Sequence, residues 1–540
     1  MRQRWQRYWF RAGGRTSAAV LRIAIGVSVF WMLVRLSDGH ASAPWESPHA
    51  LYRSLGILKL YPGEPGTTFF DILWPIAWAS TIAMILGAAT RVTTAISFVS
   101  ALAIACYEYS FAPSWSHDNN APLLAQLAFL GAYGGDALSL DALWRCWRKR
   151  PPPDDRGYLW SVLLVQLALG LMMASAAFSK LVSGGLSLAW VLSDNLRNHI
   201  LVRFDLNELP RPPLADWIIA EPWRWKLTAA LNILAQLSPL IACVLARRAL
   251  WRALFGALFA IETVALDHVM GFSNYHWLPL AVVFVDWERL IEWLRHRPHA
   301  EAPAASVGLG PRLFIVGFLV IDVAIAFWRW PKIDQRLGLY PLSNFPMFAS
   351  IRAREPYGEH HDYELVEGGF EIVTEPPLHA PAKNWVDHNA NALGLHHVRD
   401  REELRGVLSY CGQQLREGFP ELTPIAVRAN LIARRAPAYP EPARFERVEL
   451  ATIAELARDG TLRTAFGTVE RTATTWRIRV DAQGLPPVDR LALYLHGTRT
   501  DLAATRSAEG FDVAVLSAGW IVARFEVPGE GERWFVVAGR

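Results

Sequence analysis

Charge is scarce in this chain. Asp, Glu, Lys and Arg make up 19% of 540 residues, and Lys+Arg 54 against Asp+Glu 50 leaves a formal +4. Low charge with dense aromatics excludes a disordered, collagen-like or coiled-coil protein. Cysteine is scarcer still: Cys106, Cys146, Cys243 and Cys411 are too few and too scattered for a disulfide scaffold or a CxxC metal site. HExxH, Gly-rich phosphate loops and GxSxG elbows are absent, so no ATP-driven machinery is legible. The histidines of the last third (His360, His361, His379, His388, His396, His397, His496) have no recurring ligand spacing and read as a solvated surface. No metal is expected. The nearly balanced charge does not suggest nucleic acid, and no internal repeat is visible.

What the chain has is apolar length. Hydrophobic residues are 52%, with 24 Trp, and they are concentrated before residue 330. Runs at 17–36, 69–89, 92–109, 121–138, 158–179, 225–246, 250–270, 273–287 and 312–330 suit a hydrocarbon core of roughly 30 Å. Lipid cannot satisfy backbone polar groups, so these segments are expected to be helices. The expectation is a polytopic α-helical membrane bundle of about nine transmembrane helices over 17–330, after a basic cytoplasmic segment 1–16. The run at 273–287 is short enough to dip in or lie at the interface.

Loop charges support that count. With the N-terminus inside, Arg2, Arg4, Arg7, Arg11 and Arg15 fall on the cytoplasmic side. So do Arg91, Arg145, Arg148, Lys149, Arg150, Arg156, Arg247, Arg248, Arg252, Arg289, Arg295 and Arg297. Arg53, Lys59, Arg197, Arg203 and Arg211 fall on the opposite side. This is the positive-inside asymmetry. It places the C-terminal region outside. Ala41-Ser42-Ala43 resembles a signal cleavage site, but Arg22 and Arg35 favour a retained helix.

Residues 331–540 are expected to form an extracytoplasmic α+β domain, helical over 382–417 with a break at Gly394, and mostly strands over 440–540. Asp362–Val373 reads as two short strands around Gly368-Gly369. Alternation at Trp476, Ile478 and Val480, and at Leu491, Leu493 and Leu495, predicts antiparallel strands. Segments 511–527 and 533–538 add to them. A lone Cys411 there cannot form an internal disulfide.

Ionisable groups inside apolar spans are costly and invite a functional reading. They are Arg22, Asp71, Glu108, Lys180, Glu262, Asp267, His268 and Asp322. Lys180 closes the fifth run on the outer side. A lysine at that interface can snorkel, but one withdrawn from water can also act as a base, which arginine cannot. Glu262 and Asp267 are about 140° apart on a helix, so they form no tight carboxylate pair. His268, with Asn274 and His276 following, lies at the outer end level with Lys180, where an ordinary polar helix end is the plainer explanation. Trp115-Ser-His-Asp-Asn-Asn120 opens the fourth run. Capping explains one of its polar residues, not four in a row. The three outer helix ends are therefore expected to converge on one pocket.

Leu21-Arg-Ile-Ala-Ile-Gly26, Trp115-Ser-His-Asp-Asn-Asn-Ala-Pro-Leu-Leu124, Ala177-Phe-Ser-Lys-Leu181 with Trp190, and Asp267-His-Val-Met-Gly-Phe-Ser-Asn274 form an ordered series. The series resembles the HTTM (vitamin K-dependent γ-carboxylase-like) membrane family over approximately 15–297. The resemblance implies a lysine that deprotonates a reduced naphthoquinone of the vitamin K or menaquinone type. The deprotonated hydroquinone reacts with O₂ to give the epoxide, the strongly basic oxygen species formed on that path removes a γ-proton from a peptide glutamate, and CO₂ adds to the carbanion. By that resemblance Lys180 matches the base and His268 the family histidine. Asn274 is shifted in spacing, and His117, Asn119 and Asn120 fall where the family has an Asn/His pair. Ser179 stands where the family often has a second lysine, and the C-terminal domain is much smaller than in animal carboxylases. An apolar, water-poor pocket would admit a lipid quinone and protect a carbanion.

The leading expectation is therefore hydroquinone oxidation and epoxidation, extending to peptide glutamate carboxylation, with the bilayer and a secreted peptide as partners. Three other classes stand beside it: a non-catalytic maturation or immunity factor that binds an exported peptide, a small-molecule transporter, and a membrane anchor. Transport is disfavoured because no inverted repeat or pair of broken mid-membrane helices is visible.

Overall fold

The computed structural model describes residues 2–10, 14–39, 52–110, 117–151, 157–205, 210–246, 248–296, 307–327, 340–342, 352–353, 360, 363–386, 398, 400–440, 446–495, 498–517 and 519–539. The expectations at Ala41–Ala43, Trp115, Gly394, His361, His388, His396, His397 and His496 lie outside the described residues.

The helices are α1 (Arg2–Trp9), α2 (Arg15–Gly39), α3 (Thr67–Leu86), α4 (Thr90–Ser110), α5 (Asn120–Phe129), α6 (Leu140–Trp147) and α7 (Leu159–Ser183). Next come the short α8 (Ala189–Leu192), α9 (Asn195–Asp205) and α10 (Pro213–Ile219), then α11 (Pro222–Val244) and α12 (Ala249–Met270). A 3₁₀ helix, Tyr275–Phe284, leads to α13 (Trp287–Leu294) and α14 (Leu309–Phe327). Among the described residues, six helices (α2, α3, α4, α7, α11 and α12) are long and apolar enough to cross a membrane. They make this a membrane-associated helical bundle. α14 is a further apolar helix of 19 residues.

Two expected runs are not long α-helices. Residues 121–138 are α-helical only to Phe129 and then turn through a 3₁₀ element at Gly134–Asp136. Residues 273–287 wind as the ten-residue 3₁₀ helix, with Pro279 inside it. Non-helical backbone is tolerated at membrane depth when protein buries it, and His276, Trp277, Leu280, Val283 and Phe284 are all buried. Gly256 of α12 permits this packing, since a Cβ there would lie 2.2 Å from Phe284 Cβ. In α11, Pro239 removes one backbone donor, and Ser238 Oγ donates to the freed Ala235 carbonyl at 2.6 Å.

Hydrogen bonds sort the helix ends into two sets. At one end, Tyr8 donates to the Cys243 carbonyl (3.0 Å), and the Thr16 and Ser17 amides donate to Glu288 (2.8 and 2.9 Å). The Ala89 and Thr90 amides donate to Asp141 (2.8 and 2.9 Å), and Arg252 donates to the Phe284 carbonyl (3.0 Å). Arg22, fully buried, clamps the carbonyls of Gly134 (2.9 Å), Ile85 (3.2 Å) and Leu138 (2.5 Å) at the same end. At the other end, Arg53 meets Glu403 (2.5 Å) and Asn120 donates to the Pro341 carbonyl (3.0 Å). There too, Arg197 reaches the Pro437 carbonyl (3.2 Å) and Asn198 the Arg352 carbonyl (2.6 Å). The C-terminal region thus docks on the end opposite α1, α6 and α13.

That region is rich in β-sheet, with two helices, α15 (Ala380–Trp385) and α16 (Arg401–Gly418). Its strands are β1 (Tyr363–Glu375), β2 (Thr423–Ala436), β3 (Glu446–Ala457), β4 (Leu462–Thr464), β5 (Phe466–Arg471) and β6 (Trp476–Asp481). They continue with β7 (Arg490–Leu495), β8 (Thr498–Asp501), β9 (Ala504–Ser507), β10 (Gly510–Val513), β11 (Trp520–Val527) and β12 (Gly531–Gly539). One sheet runs β1-β2-β3-β12-β11-β7-β8 with β4 beside β3; the other runs β5-β6-β10-β9. The pairings are antiparallel except β3 with β12. α16 buries Leu404, Val407, Leu408, Cys411 and Leu415 against Phe370, Ile372 and Val427.

The expected hairpin at Gly368-Gly369 is not formed. β1 runs straight through, pairing Gly368 with Leu431 and Gly369 with Asn430. A tight hairpin would need positive φ at these glycines; neither adopts it. The unbroken 14-residue β2 offers a continuous partner instead. The alternation at Trp476–Val480 is observed in β6. In β7 both faces are buried, with Leu491 and Leu493 in one cluster and Ala492 and Tyr494 in another. Cys411 is a free, buried thiol.

Candidate functional site

A cavity of about 490 Å³ opens between α7, α9, α10, α11 and α12. Its walls are mainly apolar: Leu214, Trp217 and Ile218 from α10, Leu231 and Leu234 from α11, and Leu258, Ile261, Leu266 and Met270 from α12. Into them are set Lys180, Asn232, Glu262, His199 and Thr228. Large apolar walls with a few polar groups are the usual composition of a small-molecule site.

Lys180 sits in the last turn of α7 and is 1% exposed, so it does not snorkel. Its Nζ donates to Gln236 Oε1 at 3.0 Å and lies 5.0 Å from the centre of the Trp190 ring. Gln236 Nε2 donates to Glu262 Oε1 at 3.4 Å, and Asn232 Nδ2 donates to the same oxygen. Glu262 is near enough for its charge to act on Lys180. Asn232 and Gln236 are four residues apart and so share one face of α11. The result is a buried Lys–Gln–Glu–Asn chain spanning three helices. A buried pair of opposite charge holds only when its remaining hydrogen-bonding groups are also satisfied, which is what the two amides do.

The other expected site residues lie elsewhere. His268 is exposed on α12, and neighbouring Asp267 instead accepts from Ser273 and from Tyr275 (2.7 Å). Asn274 is buried and precedes the 3₁₀ helix, its carbonyl accepting from the Trp277 amide at 2.9 Å. Asn119 donates to Tyr109 Oη at 2.8 Å, and Asn120 ties α5 to Pro341. His117 is buried beside them, and desolvation holds its imidazole down at about 3. None of these five lines the cavity, so the expected convergence of three helix ends is corrected: of those residues the cavity takes Lys180. Helix ends can be level in sequence and still face different neighbours.

His276 forms a separate buried centre. Its Nδ1 pairs with Arg35 Nη1 (2.8 Å) and its Nε2 with the Asp118 carbonyl (2.8 Å), which also accepts from Trp277 Nε1 (2.5 Å). Since Arg35 can only donate, Nδ1 accepts and Nε2 carries the proton. His360 meets Asp194 (2.7 Å) against Trp225 and Tyr439 where the sheet region docks.

The ionisable residues of the apolar runs are only part of the buried Lys180–Glu262 chain, and two amides complete it. Asn232 and Gln236, at helical spacing inside one run, were the legible signal for the partners of Lys180 and Glu262. No protein-family model, curated protein or solved structure matches the chain.

Proposed function

We propose that the protein is a bacterial inner-membrane enzyme of HTTM type that binds a reduced naphthoquinone in the α10–α12 cavity, with Lys180 as base. The observation that carries this is the buried Lys180–Gln236–Glu262 chain on the wall of a large apolar cavity. The fit is physical. A volume of about 490 Å³ accommodates a bicyclic head group, and the apolar walls suit its rings. When bound, the reduced naphthoquinone supplies with O₂ the epoxidation chemistry, one oxygen atom entering the ring and the other leaving as water. Lys180 Nζ, once its own proton has been released, takes a hydroxyl proton from the ligand as a neutral amine. Gln236 fixes that nitrogen, and Glu262 offsets the positive charge that results. The reading extends to an exported peptide whose glutamate is carboxylated on the outer side.

The topology in this reading is nine crossings with the N-terminus cytoplasmic and the sheet region outside. The two sets of helix ends support it. Residues 120–134 and 274–284 each run from the end that docks the sheet region to the end held by Arg22 and Arg252. The basic termini of α1, α6 and α13 gather on the latter end.

The test is binding and turnover by purified protein. Wild type is expected to bind and epoxidise added reduced naphthoquinone, and Lys180→Ala to lose epoxide formation while remaining folded. A wild-type protein that neither binds nor turns over the quinone ends the proposal.

A further inference from the structure

Helix α6 turns its polar residues toward the protein and its apolar residues away from it. Asp141 accepts from the Ala89 and Thr90 amides at 2.8 and 2.9 Å, and from Thr90 Oγ1 at 2.7 Å. Arg145 pairs with Asp136 at 3.1 Å. At about 100° per residue, Leu143, Trp147, Leu140 and Trp144 fall in one stripe on the other side, and all four are exposed. A helix packed on a protein in water buries its apolar stripe. Leaving it outward is favourable only against an apolar surround. Thr90 begins α4, a helix of spanning length, so Asp141 marks the level at which that span ends. α13 repeats the construction. Its Glu288 accepts from the Thr16 and Ser17 amides in the first turn of α2, another such span, while Trp293 and Leu294 are exposed.

Charge adds a second feature. Arg148, Lys149 and Arg150 follow α6 directly and are exposed. Arg148 lies over the Trp144 ring, 4.5 Å from its centre, which keeps its charge beside the apolar stripe. Among the described residues of 140–151 the acidic group is Asp141, and the start of α4 already occupies it.

We infer that α6 is an interfacial helix that binds anionic phospholipid. Its Leu140, Leu143, Trp144 and Trp147 stripe lies at the boundary between headgroups and acyl chains, and Arg148, Lys149 and Arg150 draw in negatively charged headgroups. Amphipathic helices with aromatic anchors and a basic flank bind membrane surfaces in this way, and each basic group near an anionic surface adds to the attraction. A zwitterionic headgroup carries its own cation beside the phosphate, so it competes poorly for the three charges. The matching stripe on α13 favours a continuous lipid surface over a single protein partner, which would have to cover both helices. The inference stands on the geometry of α6 and is independent of any ligand in the cavity.

The experiment uses the full-length protein carrying a fluorescent maleimide on Cys146, the exposed thiol on α6; Cys106, Cys243 and Cys411 are buried. It is placed in nanodiscs of phosphatidylcholine and phosphatidylglycerol in equal parts. A nitroxide-bearing form of one lipid or the other is then included at the same mole fraction, and quenching reports which lipid sits beside the helix. Wild type is expected to be quenched about threefold more strongly by the phosphatidylglycerol probe. The triple variant Arg148→Gln/Lys149→Gln/Arg150→Gln should bring the two probes to within about 1.5-fold, as should roughly 1 M salt on wild type. Equal quenching of wild type by both probes overturns the anionic preference, and so does a preference that survives in the triple variant. A label quenched by neither probe shows a protein surface over α6 and overturns the inference altogether. Thermal melting controls for folding. If the triple variant is unfolded, Lys149→Gln and the wild-type salt series decide.

Discussion

Lys180 Nζ stands 3.0 Å from Gln236 Oε1, and that one contact ties the C-terminal end of α7 to the middle of α11. Gln236 passes the connection to Glu262 on α12, so the cation and the carboxylate of the cavity are held by the same amide.

This coupling is measurable as stability. Lys180→Met leaves a buried carboxylate without its cation and is expected to cost about 3–5 kcal/mol. Glu262→Gln strands the amine in the same way. The double variant Lys180→Met/Glu262→Gln should lose less than the sum of the two, with a coupling of about 1 kcal/mol or more, read from melting in detergent. Simple additivity would show that the two groups do not act as a pair.

Arg22 predicts a structural dependence at the opposite end. Its guanidinium serves three carbonyls from two separate segments, Ile85 in the last turn of α3 and Gly134 and Leu138 in the turn after α5. Lysine offers a single point of attachment where arginine offers a planar fork. Arg22→Leu is expected to cost about 2–4 kcal/mol, and Arg22→Lys to recover only part of it. A melting point unchanged in Arg22→Leu would remove the clamp from the account of the fold.

The four cysteines provide a topology test without mutation. Cys106, Cys243 and Cys411 are buried, while Cys146 of α6 is exposed. A membrane-impermeant maleimide should therefore label Cys146 in inverted vesicles and not in intact spheroplasts. Labelling from the outside would reverse the proposed orientation, as would loss of activity from a periplasmic reporter fused at Arg540.

His117 sets an acid limit. Burial holds its folded-state pKa down at about 3, against about 6.5 in the unfolded chain. The unfolded state therefore binds a proton that the folded state refuses. Stability is full above about pH 6.5 and falls as the pH drops toward 3, by at most about 1.4 kcal/mol per unit from this group. His117→Asn should flatten that part of the profile. An unaltered acid slope in this variant would show that other groups govern it.

Much of the architecture was legible because lipid imposes a coarse rule. Twenty apolar residues in a row, with arginines biased to alternate loops, leave a helix few other places to go, and the six long helices follow. The short elements escaped for a local reason. Residues 121–138 and 273–287 have the hydropathy of spans, but Gly131, Gly134 and Pro279 break their helices, and only burial by neighbours supports what remains. Gly368-Gly369 shows the reverse: a local turn signal yielded to the long ladder that β2 provides.

The sequence by itself determined that this is a membrane bundle with a sheet-rich C-terminal region, and that Lys180 is a costly residue in a costly place. Those facts depend on composition and period, which are properties of the chain alone. Only the tertiary structure decided which groups surround that lysine. It chose Gln236, Glu262 and Asn232 over His268, Asn274, His117, Asn119 and Asn120, because a shared pocket depends on how helices are rotated and packed against each other, and hydropathy does not specify those angles.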